Sequence, residues 1–295
     1  MTPKKILVTG ANGQLGKEFR AIVERYPHYK FLFAGHADLA IEDANAIEAY
    51  FNAQLPSICI NCAAYTAVDK AEMEKEQAIK TNAEAVGLLA SACNKSKAQF
   101  IHISTDYVFD GNSSTPYIEE DKTDPVNHYG LSKLKGEHLA IQKNADAIII
   151  RTSWVYSEYG NNFVKTMMRL MKDRDSINVV NDQVGSPTYA ADLAEAIMKI
   201  IQITTESEKA PSGVYHYSNE GSISWYEFAV AIKEWTGSNC KVNPIPSSQY
   251  PTPARRPHYS LLNKSKIKST YGLNIPHWRE SLVRCLKRIQ SAPNL

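Results

Sequence analysis

Lys4-Lys5-Ile6-Leu7-Val8-Thr9-Gly10-Ala11-Asn12-Gly13-Gln14-Leu15-Gly16-Lys17-Glu18-Phe19-Arg20-Ala21-Ile22-Val23 decides the fold. Residues 4–9 form a short apolar run that reads as a buried strand. Glycines follow at positions 10, 13 and 16, and residues 17–23 carry apolar side chains at helical spacing. Strand, glycine-rich turn and helix, in that order, form the context in which a dinucleotide pyrophosphate is bound. Gly10 permits the tight turn, Gly13 lets backbone amides approach a pyrophosphate, and Gly16 lets the helix pack closely on the strand. The helix N-terminus then presents unpaired N–H groups and a partial positive charge to the phosphates.

Strand and helix signals keep alternating through the first half. Strands are expected at 30–34, 56–62, 100–103 and 147–150, and helices at 44–53, 70–95 and 130–142. Such alternation implies parallel strands with crossover helices, an α/β fold built on a doubly wound parallel sheet of the Rossmann type. Residues 1–151 are assigned to this dinucleotide-binding domain. Beyond 151 the alternation weakens. Helices are expected at 161–172, 192–202, 225–236 and 278–289, a strand at 177–180, a polar loop at 204–213 and a proline-rich irregular cover at 244–257. Residues 152–295 therefore read as a mainly substrate-binding, smaller α+β lobe, with a segment of about 164–200 partly returning to the first domain.

Ligands of such sheets lie beyond the carboxyl ends of the strands. There the chain places Asn61 to Tyr65, Ser104-Thr105, and Thr152-Ser153-Trp154. Tyr129 and Lys133 stand four residues apart in an expected helix, so they share a face. A nearby ammonium favours phenolate and lowers a phenol's pKa, which lets it trade a proton with a carbonyl or alcohol oxygen near neutral pH. At the end of the second strand, where an NAD-selective site places an acid, the chain has Gly35-His36, with Asp38 slightly beyond. NADPH is therefore the expected coenzyme, with NADH tolerated.

Composition excludes several classes. Apolar content of 43% and charged content of 22% are ordinary for a soluble globular chain of 295 residues. A net charge of +2 argues against a nucleic-acid partner held by bulk charge. No apolar run approaches a membrane span, and no signal peptide precedes the first strand, so a cytoplasmic location is expected. Cys59 and Cys62 form C-x-x-C inside an apolar strand-like run and read as small buried residues, with a reducing compartment in keeping. The eight histidines show no ligand spacing, and no metal site is expected.

Longer motifs carry a resemblance over nearly the whole chain. They are Val8 to Gly16, residues 61–72, Ser104-Thr105-Asp106-Tyr107-Val108-Phe109 with Asp110-Gly111, Tyr129-Gly130 to Lys133 with Gly136-Glu137, and Arg151-Thr152-Ser153-Trp154-Val155-Tyr156. Asn161-Asn162-Phe163, Asn181-Asp182-Gln183 with Gly185 and Pro187-Thr188, and Pro251-Thr252-Pro253-Ala254-Arg255-Arg256-Pro257 extend it. With these the chain resembles the extended short-chain dehydrogenase/reductases of the nucleotide-sugar branch, and within them the dTDP-4-dehydrorhamnose reductase family. The resemblance implies an oxidoreductase of dTDP-rhamnose and cell-surface polysaccharide biosynthesis. In that family hydride passes from nicotinamide to C4 of a dTDP-4-keto sugar. It implies that Tyr129 donates the proton, that Lys133 lowers the Tyr129 pKa, and that Thr105 bonds the carbonyl oxygen or the phenol. Gly10, Asn12, Gly13, Gln14, Leu15, Gly16, His36, Asp38, Leu39, Ala63, Ala64 and Tyr65 would join Tyr129 and Lys133 around the coenzyme. Val68, Asp69, Thr105, Asp106 and Trp154 would meet the sugar, and Arg256 the diphosphate.

Two departures stand out. Family members often place an acid and an apolar residue where Ala40-Ile41 stands, so the adenine contact is expected to differ or to shift to Asp38 or Asp43. Some members are dimers bridged by Mg²⁺ through C-terminal acids, whereas residues 291–295 hold none, which leaves Mg²⁺ and the choice of monomer or homodimer open. Two other readings also stand: a non-catalytic NADP-binding regulatory subunit similar to the β subunit of animal methionine adenosyltransferase, and a reductase or epimerase of another nucleotide sugar.

Overall fold

A computed structural model describes residues 3–207 and 211–291. Its centre is a six-stranded parallel sheet of β1 (Lys4–Thr9), β2 (Tyr29–Ala34), β3 (Ile58–Asn61), β4 (Gln99–Thr105), β5 (Ile148–Thr152) and β6 (Gly213–Tyr217), in the spatial order β6-β5-β4-β3-β1-β2. The strand order reverses between β1 and β3, which pair Val8 with Ile60 and Thr9 with Asn61. At that reversal a crevice opens beyond the carboxyl ends.

The alternation of side chains along each strand assigns the two faces. Ile6, Val8, Ile58, Ile60, Ile101, Ile148 and Ile150 point to one side, where α1 (Gln14–Ile22) packs through Leu15, Phe19 and Ile22. Leu7, Cys59, Phe100 and Ile149 point to the other. There they meet α2 (Ala44–Gln54), α3 (Ala85–Ser96) and α4 (His128–Lys143). Cys59 is thus a core residue, as its apolar surroundings suggest.

The second half divides between two cores. α5 (Phe163–Asp173) packs with α7 (Trp225–Thr236) and α9 (Trp278–Ser291) in a separate cluster around Phe228 and Trp278. α6 (Ala190–Glu206), β6 and α8 (Ser265–Tyr271) instead complete the first core through Leu193, Ile197, Tyr215 and Ile267. Within 164–200, therefore, the part that returns to the sheet is α6, and α5 does not. Short strand pairs stitch the second lobe: Ser176–Val180 with Lys241–Ile245, Val184–Gly185 with Ile223–Ser224, and Val155–Tyr156 with Thr188–Tyr189.

Three local expectations are corrected. The expected loop from 204 is helical as far as Glu206, where the buried Thr204 packs inward and its hydroxyl donates to the Ile200 and Ile201 carbonyls. β6 and α8 have no counterpart in the sequence reading; β6 is five residues long and opens on Gly213 at φ +108°. The expected helix over 70–95 begins only at Lys75, after a separate 3-10 turn at Lys70–Glu72, and carries a π-helical turn at Lys80–Glu84, where Asn82 faces inward. Among the described residues no helix is long and apolar enough to cross a membrane. Residues 292–295, most of the tail weighed for Mg²⁺, lie outside those described.

Candidate active site

The glycine turn is built as its spacing requires. Gly10 lies at φ +63°, and a Cβ there would stand 2.5 Å from the Ala63 nitrogen. At Gly16 a Cβ would come within 2.6 Å of Ala11 Cα and the Gly10 oxygen, so this glycine serves close packing and does not line the cleft. No side chain caps α1 at Gly13, so its first N–H groups stay available to an anion. This fits a coenzyme pyrophosphate.

From this turn a cleft of about 750 Å³ runs along the carboxyl edge of the sheet. Asn12, Gly13, Gln14, Leu15, His36, Leu39, Ala63 and Ala64 line one end, and Thr105, Asp106, Tyr129, Lys133, Val68 and Trp154 the other. Four expected residues are turned away. Asp38 accepts the Gly35 N–H at 2.9 Å. The Tyr65 hydroxyl donates to Glu74 at 2.6 Å, while Asn82 clamps its backbone. Arg256 and Asp69 hold each other: two guanidinium nitrogens reach the two carboxylate oxygens at 2.7 and 2.9 Å. Asp69 also accepts the Ala254 N–H at 3.1 Å, which ties the 251–257 segment over the loop after β3.

The adenine expectation also shifts. Asp43 caps α2 by accepting from the Asn45 and Ala46 amides, so neither Asp38 nor Asp43 lines the cleft. Ile41 and Glu42 do, and Glu42 accepts the Thr81 hydroxyl at 2.9 Å. The π-helical turn brings Thr81 to this wall, in keeping with the concentration of such turns at functional sites.

At the other end of the cleft, the half-buried Tyr129 meets Tyr107 edge to face at 5.8 Å. Desolvation pushes the Tyr129 phenol up to about 12; the nearby Thr105 hydroxyl, whose own hydrogen goes to Asp106 Oδ1 at 3.0 Å, opposes the rise. Lys133 was expected to lower that phenol. Instead its Nζ donates to the Ile103 carbonyl at 2.6 Å and lies 3.2 Å from His102 Nε2. Burial brings the Lys133 ammonium down to about 8. Behind it Glu137 accepts from Ser104 at 2.5 Å and pairs with Arg151 at 2.7 Å, joining α4 to β4 and β5.

Asp106 is buried, and its Oδ2 lacks a hydrogen-bond partner. Burial lifts its carboxyl to about 7, with the Ser260 and Thr105 hydroxyls pulling the other way. Such a group can accept or donate to a sugar hydroxyl. Trp154 sits at φ +47°, a left-handed conformation rare for a large side chain and concentrated at functional sites. The sequence reading missed Trp225, Tyr107, Glu42 and Thr81 on the walls. For Trp225 a signal existed, since Ser224 and Glu227 form a capping box around it. It also missed His102, a buried polar residue inside an otherwise apolar strand.

The chain is similar to a Sinorhizobium fredii dTDP-4-dehydrorhamnose reductase, 42% identical over 285 residues that cover 95% of this chain and 96% of the relative. A crystal structure of a dTDP-4-dehydrorhamnose reductase from Clostridium acetobutylicum superposes with a TM-score of 0.92 at 41% identity, covering 97% and 99% of the two chains. A Bacillus anthracis dTDP-4-dehydrorhamnose reductase, solved in complex with NADP, gives 0.92 at 38% identity with the same coverage, 97% and 99%. The family model described as RmlD substrate binding domain matches residues 4–291. With the glycine turn, Thr105, Asp106, Tyr129, Lys133 and Trp154 on one cleft, that match spans the whole architecture, and the chain belongs to the RmlD substrate binding domain family.

Proposed function

We propose that this protein reduces the C4 keto group of dTDP-4-dehydro-L-rhamnose to give dTDP-L-rhamnose, using NADPH and accepting NADH. The observation that carries this reading is the convergence of Thr105, Tyr129 and Lys133 on one cleft whose far end is the Gly10–Gly16 turn. The family membership and the names of the relatives support it. The NADP complex of the Bacillus anthracis relative and the absence of an acid from the end of β2 favour NADPH. The sheet unit would hold the coenzyme and the second lobe the sugar.

A bound dihydronicotinamide supplies the hydride. Tyr129 is protonated at neutral pH and hands its proton to the oxygen that becomes the C4 hydroxyl. Thr105, which donates to Asp106 Oδ1 at 3.0 Å, would turn its hydroxyl to the phenolate as that charge forms. Asp106 meets a ring hydroxyl, and Trp154 walls the apolar side of the 6-deoxy sugar. The reaction is placed in the cytoplasm, where nucleotide sugars and reduced nicotinamides are available, with the enzyme acting as a monomer or homodimer.

The test is NADPH oxidation on addition of dTDP-4-dehydro-L-rhamnose, run beside other 4-keto nucleotide sugars. Tyr129→Phe is expected to lose most turnover while retaining coenzyme affinity. Coenzyme binding without oxidation of any substrate would refute the reductase and favour the regulatory-subunit reading.

A further inference from the structure

Lys133 lies among few ionisable neighbours. His102 faces it from β4, the Cys62 thiol from the end of β3, and Glu137 from α4, with Tyr129 one turn earlier on the same helix. Glu137 is engaged by Arg151 and Ser104, and burial keeps the Cys62 thiol protonated. His102 is wholly buried, and its second ring nitrogen, Nδ1, lies 3.1 Å from Asn61 Nδ2.

The orientation of Asn61 follows from the backbone. Its Oδ1 accepts the Ala63 N–H at 3.2 Å and the Thr9 hydroxyl at 2.7 Å. The hydroxyl could reverse its role, but a backbone N–H only donates, so the amide cannot be turned over. Asn61 Nδ2 therefore donates to His102 Nδ1. Burial and the nearby Lys133 charge keep the imidazole neutral, and a neutral ring carries one hydrogen. With Nδ1 accepting, that hydrogen is on Nε2 and points at Lys133 Nζ. An ammonium has three hydrogens and no lone pair, so it opposes this N–H; an amine accepts it.

We infer that His102, locked by Asn61 with its hydrogen on Nε2, is a positioning residue that favours the uncharged amine of Lys133 over its ammonium. Burial of Lys133 acts in the same direction. The consequence for catalysis rests on the reductase reading: the charge state of Lys133, one helical turn from Tyr129, is then set by a residue of an internal strand.

The test uses the full chain without substrate, so it is separable from the function assay. ¹⁵N NMR of histidine-labelled protein, with His102 assigned by His102→Gln, is expected to show a neutral Nε2–H tautomer; an Nδ1–H or doubly protonated ring overturns the proposal. The Lys133 Cε resonance, assigned by Lys133→Met, is expected to titrate at least tenfold more readily than the other lysines. His102→Gln offers the ammonium an amide oxygen, and Asn61→Asp forces the ring to Nδ1–H. Each is expected to move the Lys133 titration up by a unit or more. No movement in the variants that fold overturns the proposal, and the wild-type tautomer decides it if neither folds. A reductase assay that fails beside the expected tautomer would sink the proposed function and leave this inference standing.

Discussion

The indoles of Trp154 and Trp225 stack with ring centroids 3.6 Å apart and planes 12° apart. One leaves the end of β5 and the other opens α7, so the pair joins the sheet unit to the second lobe. Trp154 also lies against Gly185, where a Cβ would come within 3.0 Å of its ring. Its left-handed backbone is thus held by packing on more than one side. Offset or edge-to-face aromatic pairs are worth about 0.5–1.5 kcal/mol beyond their buried area, a factor of about 2 to 13, which is an upper bound for this near face-to-face stack. Trp225→Leu is therefore expected to raise KM for the nucleotide sugar within that range. Coenzyme affinity should stay put, and the exciton couplet in circular dichroism should vanish. Steady-state kinetics beside a coenzyme titration check it; an unchanged sugar KM would remove Trp225 from the sugar wall.

The Asp69–Arg256 fork makes a different prediction. The Arg256 hydrogen bond holds the Asp69 carboxyl below its ordinary range, so the pair persists through mildly acidic pH and is lost only as the pH falls through that lowered value. Both side chains are partly exposed, which limits the pair to roughly 1 kcal/mol or less. Its importance is to place the 251–257 segment and aim the guanidinium. Asp69→Ala and Arg256→Ala are expected to raise the sugar KM, and the double variant to be no worse than Arg256→Ala. Additive effects in that double-mutant cycle would mean the two residues act apart.

His36 lines the glycine-turn end of the cleft, whereas Asp38 is spent on the Gly35 amide. A carboxylate at position 36 would bond ribose hydroxyls and repel a 2′-phosphate. His36→Asp is expected to shift the kcat/KM ratio of NADPH to NADH by about tenfold or more toward NADH, roughly 1.4 kcal/mol. An unchanged ratio would place the 2′ position elsewhere.

The sheet was legible because β1 and the glycine turn combine an apolar run with a spacing that only one local geometry satisfies. Tyr129 and Lys133 were legible for a related reason, since helical periodicity alone puts them on one face. What Lys133 touches was not legible. Its partner His102 sits at alternate register on a strand 31 residues earlier, and only the pairing of β4 with α4 brings them together. Asp69 and Arg256 are 187 residues apart, and each was assigned to substrate on its own, whereas the fold gives them to each other. β6 escaped because five residues of alternating pattern become a strand only when β5 supplies the ladder.

Glu18 makes a prediction about stability. It is buried on α1 against Glu158, with Ser157 donating to it at 2.7 Å and Arg288 donating to Glu158 at 2.7 Å. Burial, then the Glu158 carboxylate, lifts the Glu18 carboxyl from 4.5 to about 8, so at neutral pH the pair shares one proton, held on Glu18. The folded chain keeps a proton that the unfolded chain releases. Stability therefore falls as pH rises from about 4.5 to about 8, and the full penalty remains above that window. Glu18→Gln keeps a donor toward Glu158 and an acceptor for Ser157 but cannot ionise. Thermal unfolding is expected to show the variant level with wild type at pH 4.5 and more stable by roughly 1–3 kcal/mol at pH 8.5, a gain of several degrees in Tm. A gain that is the same at both pH values, or a loss at pH 8.5, would show that Glu18 is already ionised in the folded protein.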